Sequence, residues 1–242
     1  MDHISLRPEY IFYVAGISIT NSFFTTVIIS ILLSIIAIFY SRSTNIKNDI
    51  LLRGFEVIVK QIIASIDQIT KDRKLTKKVL PLIATFFLFI IMSNLLALLP
   101  GFLGAFYVFD RGVRLPLLRS PNSDLTTTLA LACISIFFSQ VFSIQINGWK
   151  VHIKRYINPQ SPLTLFIGAM ELISEGARIL SFAFRLFGNI FAGEILLLVT
   201  AFIIPYIVPI PFMLLEIFVG IIQAYIFSLL TLSFIKLYIK QT

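Results

Sequence analysis

Two long apolar stretches towards the C-terminal end of the chain contain side chains that hydrocarbon tolerates poorly. The first holds Glu171, Glu175, Arg178, Arg185, Asn189 and Glu194, and the second holds Glu216 and Gln223. A charged group at the centre of a membrane-spanning helix costs about 2.5–3.5 kcal/mol on insertion scales, so each ionisable residue is a candidate for ion movement. Arg185, inside "SFAFRLFGNIFAGE", is the most demanding of them. Its guanidinium stays protonated, and the mostly apolar residues on either side leave it no nearby interface to snorkel towards.

Helical spacing sorts these residues by face. Glu171, Glu175, Arg178, Phe182, Arg185, Asn189 and Ala192 recur at intervals of four and three, which lays them along one side as a polar seam. Glu194 follows Arg185 by nine residues and, at about 100° per residue, points to the opposite side. Arg185 is thereby left facing a group that its own helix does not supply. In the second stretch Glu216, Gly220, Gln223 and Phe227 share a face, and Gln223 can hydrogen-bond a guanidinium without neutralising it. Plainer readings stand beside these. Arg178 and Glu175 can be a solvated or mutually paired patch, Glu171 an interfacial residue, and Glu194 and Glu216 carboxyls held only by structural hydrogen bonds. Asn189 and Gln223 can be amide glue between helices.

Such residues need a membrane-embedded scaffold, and the composition supplies one. The chain has 242 residues, 57% hydrophobic and 13% charged, with a mean hydropathy of +0.93. These values belong to a polytopic membrane protein rather than a soluble domain. The net charge of +8 lies in loops between apolar runs, which suits membrane orientation rather than nucleic acid. The N-terminus, with Asp2, His3, Arg7 and Glu9, reads without a removable signal peptide.

The predicted architecture is an all-α polytopic membrane protein forming a single membrane domain over residues 1–242. It has about five membrane-embedded helices plus one amphipathic surface helix. Crossings are expected at 22–40, 79–100 and 126–147, and the amphipathic helix at 50–70. In that helix Leu51, Leu52, Phe55, Ile58, Val59, Ile62, Ile63 and Ile66 form an apolar stripe opposite Arg53, Glu56 and Lys60, so it lies on the membrane surface or packs on a partner. Residues 163–202 would make a helix of about 60 Å and 206–236 one of about 45 Å, against a hydrocarbon core of about 30 Å. The reading is two long tilted helices, 163–202 and 206–238, joined as a hairpin through Pro205, Pro209 and Pro211. Nine Lys or Arg fall between Ser41 and Lys78, against three each in the loops with Arg111, Arg114 and Arg119 and with Lys150, Lys154 and Arg155. That excess places the 41–78 loop in the cytoplasm, the N-terminus outside and the C-terminus inside.

Other chemistry finds little footing. His3 and His152 lie in tail and loop positions without a metal-ligand spacing, and there is neither a GxSxG nor a GxxxxGK[ST] motif. Cys133 reads as a small packed residue. No cofactor or metal is expected, and the chain does not read as an enzyme by itself. The buried charges suit ion movement, and a secondary transporter or cation channel with a buried charged site is one such reading, although the absence of an internal repeat weakens a transporter.

The stretch "FRLFGNIFAGE", followed by "PFMLLEIFVGIIQAYIFSLLTLSFI", resembles subunit a of F-type ATP synthases, the membrane stator that forms the proton channel. The resemblance extends over most of the chain, including "IIMSNLLALLPGF" and "NSDLTTTLALA". It implies that Arg185 is the arginine facing the rotor ring, with Gln223 its neighbour on the last helix and Asn189 one turn on. It also implies that Glu194 and Glu216 are the acid/base groups of the outer half-channel, with Asn94 near that route. Glu171 corresponds to an acidic position of the cytoplasmic half-channel, with Glu175 and Arg178 close by. Position 216 is histidine in some relatives, and Ala97 stands where some bacterial members carry an acid. The implied partners are the c-subunit ring, the b-subunit peripheral stalk, the rest of the synthase and the lipid bilayer, with no nucleic acid. The implied location is the bacterial inner membrane, or alternatively the mitochondrial inner membrane. H⁺ is favoured over Na⁺, because no cluster of oxygen ligands accompanies the buried acids.

Overall fold

A computed structural model describes residues 10–14, 17–42, 50–98, 107–110, 113–116, 118–156, 162–204 and 207–240. Pro205, Arg111 and the N-terminal charges Asp2, His3, Arg7 and Glu9 lie outside them, as do the side chains of Leu51, Leu52, Phe55, Ala97 and Arg114. Helices dominate, in the order α1 (Asn21–Arg42), α2 (Ile50–Thr70), α3 (Arg73–Ala97), α4 (Leu125–Asn147), α5 (Trp149–Tyr156), α6 (Pro162–Ile203) and α7 (Pro209–Lys240). Among the described residues five of them, α1, α3, α4, α6 and α7, are long and apolar enough to cross a membrane. The fold is therefore an all-α polytopic membrane protein.

Two short antiparallel hairpins add to the expected helices. β1 (Tyr10–Val14) pairs with β2 (Ile17–Thr20), and β3 (Tyr107–Asp110) with β4 (Val113–Pro116). β1 and β2 are runs of β-branched and aromatic residues directly ahead of α1, where their apolar character merges with that of the span, and β3 and β4 lie in the loop between α3 and α4.

Helix ends follow local chemistry. The Asp72 carboxylate caps α3 by accepting from the Lys74 amide at 2.9 Å, and Asp124 caps α4 from the Thr126 amide at the same distance. Gly148 ends α4 at φ +86°, a left-handed conformation that a side chain would strain. α6 runs 42 residues without interruption and α7 runs 32. At a 1.5 Å rise these are about 60 and 50 Å long, so neither fits upright within the hydrocarbon.

α7 packs most extensively on α3, then on α4 and α6, and α6 packs on α4. The core joins Val79, Ile83, Phe86 and Ile90 of α3 with Phe182, Ala183, Leu186 and Ile190 of α6 and Ala224, Phe227, Leu232 and Ile235 of α7. α4 contributes a seam of buried hydroxyls, Thr128, Ser135, Ser139 and Ser143, whose small side chains allow close approach. Ser135 and Thr231 hydroxyls meet at 2.8 Å, and Ser143 donates to the Tyr238 carbonyl at 3.3 Å. Cys133 lies on the exposed side of α4, not in the core as expected, because the seam claims the inward face.

The amphipathic α2 is only partly superficial. Ile62 and Ile66 are buried against the bundle, whereas Val57 and Ile58 are exposed. Its inner end is tied to α7 by a Ser65–Tyr225 hydroxyl contact at 3.3 Å, and Lys236 donates to the Ile69 carbonyl at 2.5 Å.

α5 lies against α6 at Gly168, where an added Cβ would stand 2.0 Å from the Tyr156 carbonyl oxygen. Backbone cannot give way as a side-chain tip can. Gly168→Ala should therefore destabilise the docking of α5 by about 1–3 kcal/mol, the range of overpacked cores. A lowered thermal midpoint of the purified protein would show it, whereas Gly176→Ala, with open space around the site, should be neutral.

Candidate functional site

Polar side chains gather at the two ends of the bundle. At the end formed by the start of α1, the end of α3 and the 3-10 turn Pro121–Ser123, that turn packs on α6. Asn122 donates its amide to Asn94 Oδ1 at 2.7 Å and to the Ile90 carbonyl at 3.4 Å, and Asn94 donates to the Gly220 carbonyl at 3.0 Å. This chain of amides ties the turn to α3 and α7. Beside it Arg119, only 7% exposed, reaches the Ser123 hydroxyl with Nε at 3.3 Å and approaches Glu194 Oε2 with Nη2 at 3.9 Å. Its backbone amide donates to Thr25 Oγ1 on α1 at 3.2 Å.

Glu194 and Glu216 come together at this end. Glu216 is 7% exposed and its carboxyl lies over Gly193, where a Cβ would stand 2.6 Å from Oε1. The two carboxyls are within electrostatic reach of each other. Among the described residues, Glu194 Oε1 and Glu216 Oε2 are buried without a hydrogen-bond partner. Such orphaned oxygens suit a shared proton or a bridging water.

At the opposite end Arg155 of α5 and Arg178 of α6 both pair with Glu171, the latter at 3.7 Å. Arg178 also donates to the Tyr238 hydroxyl at 2.9 Å, and Arg155 lies 4.5 Å from the centroid of the Tyr238 ring. Glu175 accepts from the Tyr156 hydroxyl and from Gln140 at 2.5 Å. Arg178 and Glu175 thus do not pair with each other. The cation goes to Glu171, and the second carboxylate goes to neutral donors on α4 and α5. Burial, reinforced by the bond to Glu175, pushes the Tyr156 hydroxyl above its ordinary value and keeps it a donor. Burial and the nearby Arg155 push His152 down, towards the neutral form.

Between the two ends the seam read from spacing is broken. Phe182 turns inward, 3% exposed, its ring 5.1 Å from Phe227 and 5.3 Å from Phe234. The rings of Phe227 and Phe234 on α7 supply the apolar partner that draws it in. Arg185 and Asn189 lie beyond it on the exposed flank of α6, and Gln223 is half-buried on α7. Among the described residues no carboxylate lies within ion-pair distance of Arg185, nor do Arg185 and Gln223 hydrogen-bond to each other. Around it the same surface is apolar, with Leu180, Phe184, Phe218, Ile221 and Tyr225 exposed. No group of three or more His, Cys, Asp or Glu among the described residues is placed to hold a metal ion.

Residues 22–236 match the family model of the ATP synthase A chain. The chain belongs to that family. It is 34% identical over 232 residues to the ATP synthase subunit a of Legionella pneumophila (strain Corby), covering 94% of this chain and 90% of the relative. It is 31% identical over 225 residues to that of Helicobacter pylori (strain P12), covering 91% and 92%. The family is the proton-translocating stator subunit of F-type ATP synthases, a membrane subunit without catalytic chemistry of its own. Spacing along single helices brings out Arg185, Glu194 and Glu216 but not Arg119, Gln140 or Tyr156. Those three reach the site from a turn, from α4 and from α5, and their only signal in sequence is polarity beside a span.

Gly193 gives a direct test of the carboxyl pocket. Gly193→Ala should push the Glu216 carboxyl aside at little cost in assembly, because the obstructed atoms end a flexible side chain. Misplacing a transfer group by about 1 Å costs up to roughly a hundredfold. ATP-driven proton pumping in membrane vesicles should fall about tenfold or more while subunit content stays unchanged.

Proposed function

We propose that this chain moves protons between the two faces of a membrane through two half-channels that meet a rotating ring of c-subunits at Arg185. The observation that carries the reading is an exposed guanidinium on an apolar face, with no carboxylate among the described residues in ion-pair reach, between polar clusters at the two ends of the bundle. A rotor carboxyl crosses lipid only when neutral, because a charge in hydrocarbon is costly. On meeting Arg185 its ionised form is favoured, and the proton leaves into one half-channel. Glu194 and Glu216, with Asn94 alongside, serve the outer half-channel, and two carboxyls this close share their titration. Glu171, with Glu175 and Arg178, lines the cytoplasmic one.

Asn189 and Gln223 flank Arg185 and offer hydrogen bonds that leave its charge intact. Each proton moved through 100 mV supplies about 2.3 kcal/mol, and several per turn drive ATP synthesis in the attached head. The bacterial relatives favour a bacterial inner membrane, and the loop charges favour an N-terminus outside and a C-terminus inside. The b-subunit peripheral stalk would hold the chain still against the ring.

Replacing Arg185 by Ala in the whole synthase should abolish ATP-driven pumping and raise passive proton permeability of the vesicles. Unchanged coupling would sink the reading. Glu216→Gln should slow proton entry by at least about tenfold, towards the lower part of the range for a lost transfer group. Glu216→His should keep more activity than Gln, and equal rates for Gln and wild type across pH would remove Glu216 from the route.

A further inference from the structure

We infer that the outward face of α5 binds the headgroup of an anionic phospholipid at the membrane surface. α5 follows the span α4 directly after Gly148, so it lies where that span leaves the hydrocarbon. Its eight residues divide into two sides. On the inner side Arg155 pairs with Glu171, Tyr156 donates to Glu175, and the Tyr156 backbone rests on Gly168. His152 is half-buried there, its ring 5.4 Å from that of Tyr156. These contacts fix the rotation of the helix about its axis. The remaining side chains, Trp149, Lys150, Val151, Ile153 and Lys154, are exposed, Trp149 to 62%.

At about 100° per residue the outward arc runs Trp149, Ile153, Lys150, Lys154, Val151. Two ammonium groups one turn apart therefore stand between apolar side chains. That order fits a phospholipid. The indole and the aliphatic side chains enter the boundary between headgroup and acyl chain, and the lysines, on flexible stems, reach the phosphate. The charge of this face is of one sign. No residue of α5 is acidic, nor is any of residues 157–161 that follow it. Among the described residues no carboxylate pairs with Lys150 or Lys154. A zwitterionic headgroup carries its own cation beside the phosphate, whereas an anionic one does not, so two lysines favour the second. Membrane orientation asks only that basic residues lie in the loop. It does not ask that they share the face opposite the docking contacts.

The test uses the whole synthase in vesicles of equal parts phosphatidylcholine and phosphatidylglycerol, with bromine on the acyl chains of one lipid or the other. Trp149 is the only tryptophan of the chain, and subtracting the signal of the same synthase carrying Trp149→Phe isolates its fluorescence. Quenching by brominated phosphatidylglycerol should exceed that by brominated phosphatidylcholine at least about twofold, within the roughly fivefold that one lysine gains at an anionic surface. Lys150→Gln combined with Lys154→Gln should make the two equal, and both side chains are exposed, so assembly should not suffer. Should that variant fail to assemble, salt at about 1 M, which shortens the screening length to about 3 Å, should equalise them in the wild-type synthase. Equal quenching by the two lipids in the wild type at low salt would overturn the inference and leave α5 an anchor without headgroup choice. Absence of quenching by either lipid would overturn it too, and would assign this face to another subunit. Neither result depends on Arg185 or on the proton path.

Discussion

Hydrocarbon does not solvate an ionised side chain, and the arrangement of α6 follows from that constraint. Arg185 carries a charge it cannot lose, so a carboxylate of its own chain within reach would bind it permanently. The described structure places the chain's other membrane-embedded charges with partners elsewhere. Glu171 goes to Arg155 and Arg178, and Glu194 goes to Arg119. Arg185 is left on the outer flank of the helix. Phe182 packs inward between Glu175 and Arg185, and the acids on the far side of it find their partners on α4 and α5.

The same constraint explains the aromatic layer between the two polar ends. Phe86, Phe182, Phe227 and Phe234 pack edge to face and tilted across α3, α6 and α7. This aromatic layer, which carries no ionisable side chain of its own, stands between Glu175 and Arg178 at one end and Glu194 and Glu216 at the other, so transfer between the ends through the interior of the chain would bring a charge against apolar rings. On the proposed function that separation directs protons past Arg185. The small-residue contacts serve this geometry. The hydroxyl seam of α4 draws α7 close, and Gly193 makes room on α6 for the carboxyl of Glu216.

Much of the fold was legible in the sequence because membrane helices announce themselves by length and hydropathy alone. The five spans and the unbroken length of the last two need no tertiary information. The two β-hairpins were not legible, since β1 and β2 merge with the start of α1 and β3 and β4 are four-residue strands within a loop, and neither was the outward side of α4 that exposes Cys133. In the site, Arg185 stood out by its isolation in an apolar run. Arg119 did not, because a loop arginine next to a span looks like an orienting charge until the turn that carries it is seen folded against α6.

By itself, the sequence determined which residues are costly in a membrane, and helical period determined which of them can share a face. That follows from local geometry, where 3.6 residues per turn relates neighbours within one helix. Only the tertiary structure decided partners between helices. Glu194 lies with Glu216 and Arg119, Glu175 goes to Tyr156 and Gln140 rather than Arg178, and Phe182 breaks the seam. Such contacts depend on how α3, α4, α6 and α7 approach and rotate against one another. No single helix encodes that, because it is settled by the fit of all their side chains at once.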